Sequence, residues 1–349
     1  MSKKPSCCNS STKSKKLDWF LWLVISISAI LYIYFWQFSE SISDIKWLNL
    51  LAGSVYELLN IMWWGLAIGV LMVAALAKIP KEFVISILGD GKGLSGKIRA
   101  TMAGVLLDLC SHGILMVGSQ LYKRGASTGQ VMAFLIASPW NSLSLTIILI
   151  SLIGMTWTLS FILFSMVIAI ISGVIFDHLV AQKILPDNPN KIDIPKDFNF
   201  WKEAKKSLGN NNYNSKFFLD IIISGVKESR MVIKWILFGT LLASLIRTFI
   251  ETDNFQTFFG PTLAGLGLTI LVATILEVCS EGSAPIAADI LTRAEAPGNS
   301  FAFLMTGVST DYTEIMILKD TTKSWKIALF LPLITVPQVI FISWIMNFG

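Results

Sequence analysis

Two cysteines sit in matching chemical surroundings. Cys110 follows Asp108 by two residues and precedes Ser111, His112 and Gly113, while Cys279 follows Glu277 by two and precedes Ser280, Glu281 and Gly282. Thiolate, imidazole and carboxylate form a soft-to-borderline ligand set that suits zinc, another transition-metal ion, or a metalloid bridged by two thiolates. Cys110, His112, Cys279 and Glu281 are therefore the candidate metal ligands. A thiol gives up its proton when it ligates, so carboxylates able to carry protons the other way acquire a purpose: Asp108, Glu277, Asp289 and Glu314. A single cysteine in an apolar run is ordinarily a small buried hydrophobe. Two in equivalent frames, each flanked by an acid and by His or Glu, point to a site.

The backbone around them is expected to be irregular. On a continuous helix Asp108 and His112 share a face and Cys110 turns about 200° away; on extended backbone all three alternate onto one side. Ser111-His112-Gly113 and Ser280-Glu281-Gly282-Ser283 are poor helix formers inside an apolar run, so a local break is expected in each. A partner segment breaks as well. Ser138-Pro139-Trp140-Asn141-Ser142 holds a proline, which removes an amide donor and clashes with the preceding turn, and Thr306-Gly307-Val308-Ser309-Thr310-Asp311 is its counterpart. Unwound backbone at membrane depth is tolerated only where protein or a water-lined cavity satisfies it. Ser111, Asn141, Ser142, Ser280 and Asp311 thus join Cys110, His112, Cys279 and Glu281 as candidate substrate-binding residues.

These segments are one segment written twice. Leu107 to Leu149 aligns without a gap on Leu276 to Leu318 at an offset of 169 residues. Duplicated, interrupted apolar segments at matching places in two halves are a sequence pointer to a transporter's substrate site. With 54% hydrophobic and 15% charged residues and twelve tryptophans, and a mean hydropathy of +0.65, the chain reads as an all-α polytopic membrane protein. Apolar runs of the roughly 20 residues that a bilayer requires number about nine, Ile98 to Tyr122 and Pro261 to Ile290 among them. Trp19, Trp47, Trp157 and Trp325 at their ends suit the headgroup level.

Extending the offset divides the chain into a basic, Cys-containing tail with a first retained helix (1–46), repeat one (47–181), a polar linker (182–216) and repeat two (217–349). Each repeat is expected to hold four spans, with broken helices. An even number predicts both repeats inserted in the same direction, related by an axis along the membrane normal. Lysines before the first span and after the second argue for a cytoplasmic N-terminus. The linker argues the other way, because nine crossings place it outside although it carries seven lysines. Cys7 and Cys8, in the tail, form either an incidental pair or a tethered capture site for soft metals. No nucleic-acid motif or Walker sequence is present, and no cofactor is implied.

The runs Cys110-Ser111-x-Gly113, Tyr122-Lys123-Arg124-Gly125-Ala126-Ser127 and Ala133-Phe134-Leu135-Ile136-Ala137-Ser138-Pro139 resemble the bacterial predicted-permease family that includes ArsP-type organoarsenical effluxers and related metal effluxers. The resemblance spans Trp47 to Gly349. It implies a multi-pass protein of the bacterial inner membrane, not an enzyme, which exports a small inorganic or organometalloid substrate, with the lipid bilayer as a further partner; protons are the partner that the thiols and carboxylates themselves suggest. Members commonly carry Cys-Ser-Cys-Gly followed by Pro; here His112 takes the second Cys position and Met116 stands near the Pro position, which gives the site a mixed ligand character. A second function class uses the same cysteines: a transmembrane thiol-disulfide conduit exchanging between Cys110 and Cys279. The flanking acids disfavour the thiolate that such exchange needs.

Overall fold

A computed structural model describes residues 19–38, 46–76, 93–106, 111–123, 125–137, 143–190, 233–276 and 280–348. Every regular element among them is an α-helix. In the first half these are α1 (Trp19–Phe38), α2 (Lys46–Leu76), α3 (Leu94–Leu106), α4 (Ser111–Lys123), α5 (Thr128–Ala137), α6 (Leu143–Ile153) and α7 (Met155–Ala181). The second half holds α8 (Ile233–Phe249), then α9 (Thr252–Phe259), α10 (Leu263–Leu276), α11 (Ser280–Thr292), α12 (Pro297–Thr310), α13 (Tyr312–Thr322) and α14 (Trp325–Phe348). Among the described residues α1, α7 and α14 are long and apolar enough to cross a membrane, and α8 with α9, bent by 111° at Ile250–Glu251, makes a fourth candidate. The chain is thus an all-helical, polytopic membrane protein.

The run Ile98 to Tyr122, expected to be one crossing, is not one. Asp177, near the C-terminal end of α7, takes the ammonium of Lys97 at the start of α3. Its two carboxylate oxygens also accept the Ser127 hydroxyl at 3.1 Å and the Gly129 amide at 2.7 Å. Both ends of the α3–α4 segment therefore meet at one carboxylate, whereas a straight helix of that length would part them by about 40 Å. The chain reverses between Leu106 and Ser111. Each arm, 13 residues, is about 20 Å long, too short for a hydrocarbon layer of about 30 Å.

The second half repeats this. Asn299 at the start of α12 donates to the carbonyls of Phe259 and Gly260, just before α10, at 2.8 and 2.7 Å. At the other end of the same two helices, the Thr310 and Thr274 hydroxyl oxygens lie 3.2 Å apart. Helices α10 and α12 thus run side by side in one direction, and α11 runs back between their ends. The expected span Pro261 to Ile290 is also a hairpin, so the described residues do not show four crossings per half or nine in all. The parity that favoured parallel insertion lapses with them.

Close backbone approach sets the joints. A Cβ at Gly129 would strike the carbonyl oxygen of Gly173, and one at Gly298 the carbonyl of Ser343, so α5 lies against α7 and α12 against α14 at glycine distance. The Gly298 amide donates to the Asn347 side chain at 2.8 Å, the place Asp177 fills for Gly129. The starts of α3, α4, α5 and α6 recur 169 residues later in α10, α11, α12 and α13. After them Gly154 (φ 83°) and Lys323 (φ 57°) turn the chain in the left-handed region, and the second half then has one extra residue, Ser324, before α14. Buried apolar side chains from α2 to α14 form one core.

Candidate functional site

Asp311 makes the described break in the second half. The α-helix continues through Thr310, further than the Thr306-to-Asp311 break expected from sequence, and only Asp311 leaves it (φ −56°, ψ 123°). Its carboxylate accepts the Thr313 amide at 2.6 Å and so caps α13, since the first amides of a helix lack intrahelical acceptors. One turn into α13 stands Glu314, 4% exposed. No hydrogen bond or ion pair joins its carboxyl to another described residue. It faces a narrow crevice walled by Leu135 and Ile136 of α5, Met305, Val308 and Ser309 of α12, and Leu331 of α14. The crevice thus lies between the two halves, with the carboxyl as its charged group.

Asp289 has a different setting. It is 1% exposed and is clamped by Arg247 from α8, whose Nε lies 2.9 and 3.1 Å from the two carboxylate oxygens and whose Nη2 lies 2.6 Å from Oδ1. Such a fork is the strong form of a charge-assisted bond. Arg247 also reaches Glu57 of α2 at 3.0 Å, which ties the first half to the second. Arg293 stands 3.8 Å from Asp289, donates to the Ile250 carbonyl at 2.9 Å and stacks over Phe255 at 4.8 Å. Burial lowers the pKa of Arg293, in the turn beyond α11, below the usual arginine value, and the Asp289 carboxylate opposes that shift.

Ser111 and His112 open α4, and Ser280 and Glu281 open α11; their side chains lie outside the described residues, as do Asp108, Cys110, Asn141, Ser142, Glu277 and Cys279. Among the described residues no group of three or more His, Cys, Asp or Glu gathers as a metal site would. Sequence reasoning missed Arg247, Glu57, Lys97 and Asp177. Each is a charge within or at the edge of an apolar run, which is itself a signal for a buried pair. What the sequence lacks is the partner, 42 residues away for Arg247 and Asp289 and 80 for Lys97 and Asp177.

Comparisons agree with this membrane architecture. The profile of the ArsP_1 family, described as a predicted permease, matches residues 46–348. A Streptococcus mutans protein named as a two-component membrane permease complex subunit is 23% identical over 64% of this chain and 71% of its own length. A Mycobacterium tuberculosis protein named as a permease is 23% identical over 65% of this chain and 59% of its own length. The Bacillus subtilis UPF0718 protein YcgR is 21% identical over 77% of this chain and 87% of its length. No solved structure matches. With its helices, its paired hairpins and a profile match over most of its length, this chain belongs to the ArsP_1 predicted permease family.

Proposed function

We propose that this permease exports a small thiophilic metal or metalloid species through a mid-membrane site built by two duplicated halves, in exchange for protons, with Glu314 as the proton carrier. The observation that carries the reading is Glu314 itself. A carboxylate within a membrane bundle is costly and marks a substrate or proton path by default, and this one faces a crevice between the halves with no cation among the described residues that line it. Asp289, held by Arg247, serves as a structural anchor instead. The recurring helix starts support the duplication, and the Cys110 and Cys279 segments link the helices of the two hairpins. Thiols there would bind a soft cation or a trivalent metalloid, and the proton lost on binding gives Glu314 a counter-substrate.

Everted membrane vesicles test this. With an imposed proton gradient, accumulation of zinc or of a trivalent arsenical should exceed that in vesicles treated with an uncoupler, and Cys110→Ser or Cys279→Ser should abolish it. Glu314→Gln should leave exchange of substrate between the two sides while removing the response to the gradient. Transport indifferent to all three substitutions would sink the proposal.

A further inference from the structure

The base of the first hairpin lies beside Asp177, and Phe161 lies about 24 Å back along α7 from that residue. Phe161 and Phe164 pack edge-on against Phe301, with ring centroids 5.5 and 6.3 Å apart. Phe301 is in the first turns of α12, next to Asn299 and hence next to the base of the second hairpin. The two bases are therefore at opposite ends of α7. Ser119, in the last turns of α4 near the first base, hydrogen-bonds Thr321 at the far end of α13, the end remote from the second base. Bases on one face would leave both contacts stretched over most of the membrane's thickness.

We infer that the two halves are inserted in opposite orientations, the first hairpin entering from the cytoplasmic face and the second from the other face. Each half contributes three crossings and one hairpin: α2, α5 with α6, and α7 in the first; α8, α12 with α13, and α14 in the second. The odd count turns the second half over, the arrangement known as an inverted repeat. Helix α8 fits the scheme, since Gly239 abuts Gly282 and Arg247 meets Asp289, so α8 runs with α11 toward the second base. Phe20 of α1 packs on Trp235 and Phe238 at the start of α8, placing the start of α1 on the Asp177 face.

Charge then names that face. Of the 28 Lys and Arg in the chain, all but Lys46, Arg247 and Arg293 fall in segments joining helix ends on the Asp177 face or in the adjoining turns of those helices. The opposite face gathers Glu251, Asp253 and Glu295. Basic residues concentrate on the cytoplasmic side, so the Asp177 face is cytoplasmic. The seven lysines of 182–216, which a nine-crossing topology exposes outside, now share a side with those of the N-terminal tail. Each face of the membrane thereby owns one hairpin.

This inference rests on the chain being a membrane permease but not on what it carries, so its test is independent of transport. The full chain with its four native cysteines changed to serine receives single substitutions at exposed positions: Lys123→Cys, Lys326→Cys, Asp253→Cys or Glu295→Cys. Each is treated with a membrane-impermeant maleimide in spheroplasts and in everted membranes, with detergent-solubilised protein as the measure of full labelling; Lys183 and Gln256 are the spare positions for the two faces. Positions 123 and 326 should label at least ten-fold more in everted membranes, and 253 and 295 at least ten-fold more in spheroplasts. Labelling of 123 and 253 from the same side overturns opposite insertion. Four positions labelled with their sides exchanged, or each labelled equally from both, overturn the cytoplasmic assignment.

Discussion

The hydroxyls of Ser119 and Thr321 lie 2.7 Å apart, joining the returning arm of the first hairpin to the last turn of α13 across 202 residues. With the chain's own cysteines changed to serine, a Ser119→Cys/Thr321→Cys pair should crosslink under mild oxidation or with a short bifunctional maleimide. Each thiol alone should not. A pair that is reactive toward maleimide yet fails to crosslink would count against this packing.

Glycine positions divide into two kinds. Gly129→Ala and Gly298→Ala each push a methyl into a backbone carbonyl, which cannot yield as a side chain can, and should cost about 1–3 kcal/mol. Gly267→Ala and Gly307→Ala meet nothing within 4 Å and should be neutral or slightly stabilising, because alanine is the better helix former. Thermal unfolding in detergent, followed by fluorescence-detected size exclusion, should separate the pairs by several degrees.

Arg247 links two carboxylates, Asp289 and Glu57, with unequal stakes. Asp289→Asn leaves a largely buried guanidinium without its main partner and should cost about 3–5 kcal/mol, as breaking a buried pair does. Glu57, whose side chain is 62% exposed, meets Arg247 through a single contact, and Glu57→Gln should cost less than Asp289→Asn. A double-mutant cycle with Arg247→Met and Asp289→Leu should show less loss in the pair than the singles sum to; additivity would mean that the clamp is not an energetic unit.

The two hairpin bases hold their glycine amide through different groups, a carboxylate at Asp177 and a carboxamide at Asn347. Asp177→Asn converts the first clasp into the kind found in the second, where Asn347 already accepts a glycine amide. The amide bond should survive, but Lys97, 5% exposed, loses its counter-charge, and the variant should unfold earlier by an amount equivalent to about 3 kcal/mol. Adding Lys97→Met should recover most of it. No recovery would show that the carboxylate does more than hold the lysine.

Hydropathy makes apolar runs legible, and through them the helical membrane class and the intramembrane acids, Glu314 among them; the family resemblance is carried instead by the motif runs at 110–113, 122–127 and 133–139. Hydropathy does not distinguish one crossing from a hairpin. The run Ile98 to Tyr122 reads equally as a single span or as two short arms, and the discriminating fact is that Lys97 and Ser127 share Asp177. Long-range pairs of that sort leave no periodic trace. The Asp311 break was visible as a cluster of weak helix formers, yet its position was not, because Ser309 and Thr310 bond back to the carbonyls four residues earlier and stay helical.

Ser324 has a practical consequence for anyone comparing the halves. Through α13 the partner of a residue lies 169 positions on, but Gly129 pairs with Asp177 while Gly298 pairs with Asn347, and those acceptors are 170 apart. A fixed spacing would set Asp177 against Met346 and miss the shared clasp. The added residue amounts to about 1.5 Å of slide and 100° of rotation, which the turn at Lys323 has absorbed upstream of α14. Paired mutagenesis, symmetry restraints or a grafted chimera of the two halves must step by one residue at that turn, or every substitution in the last helix will land on the wrong face.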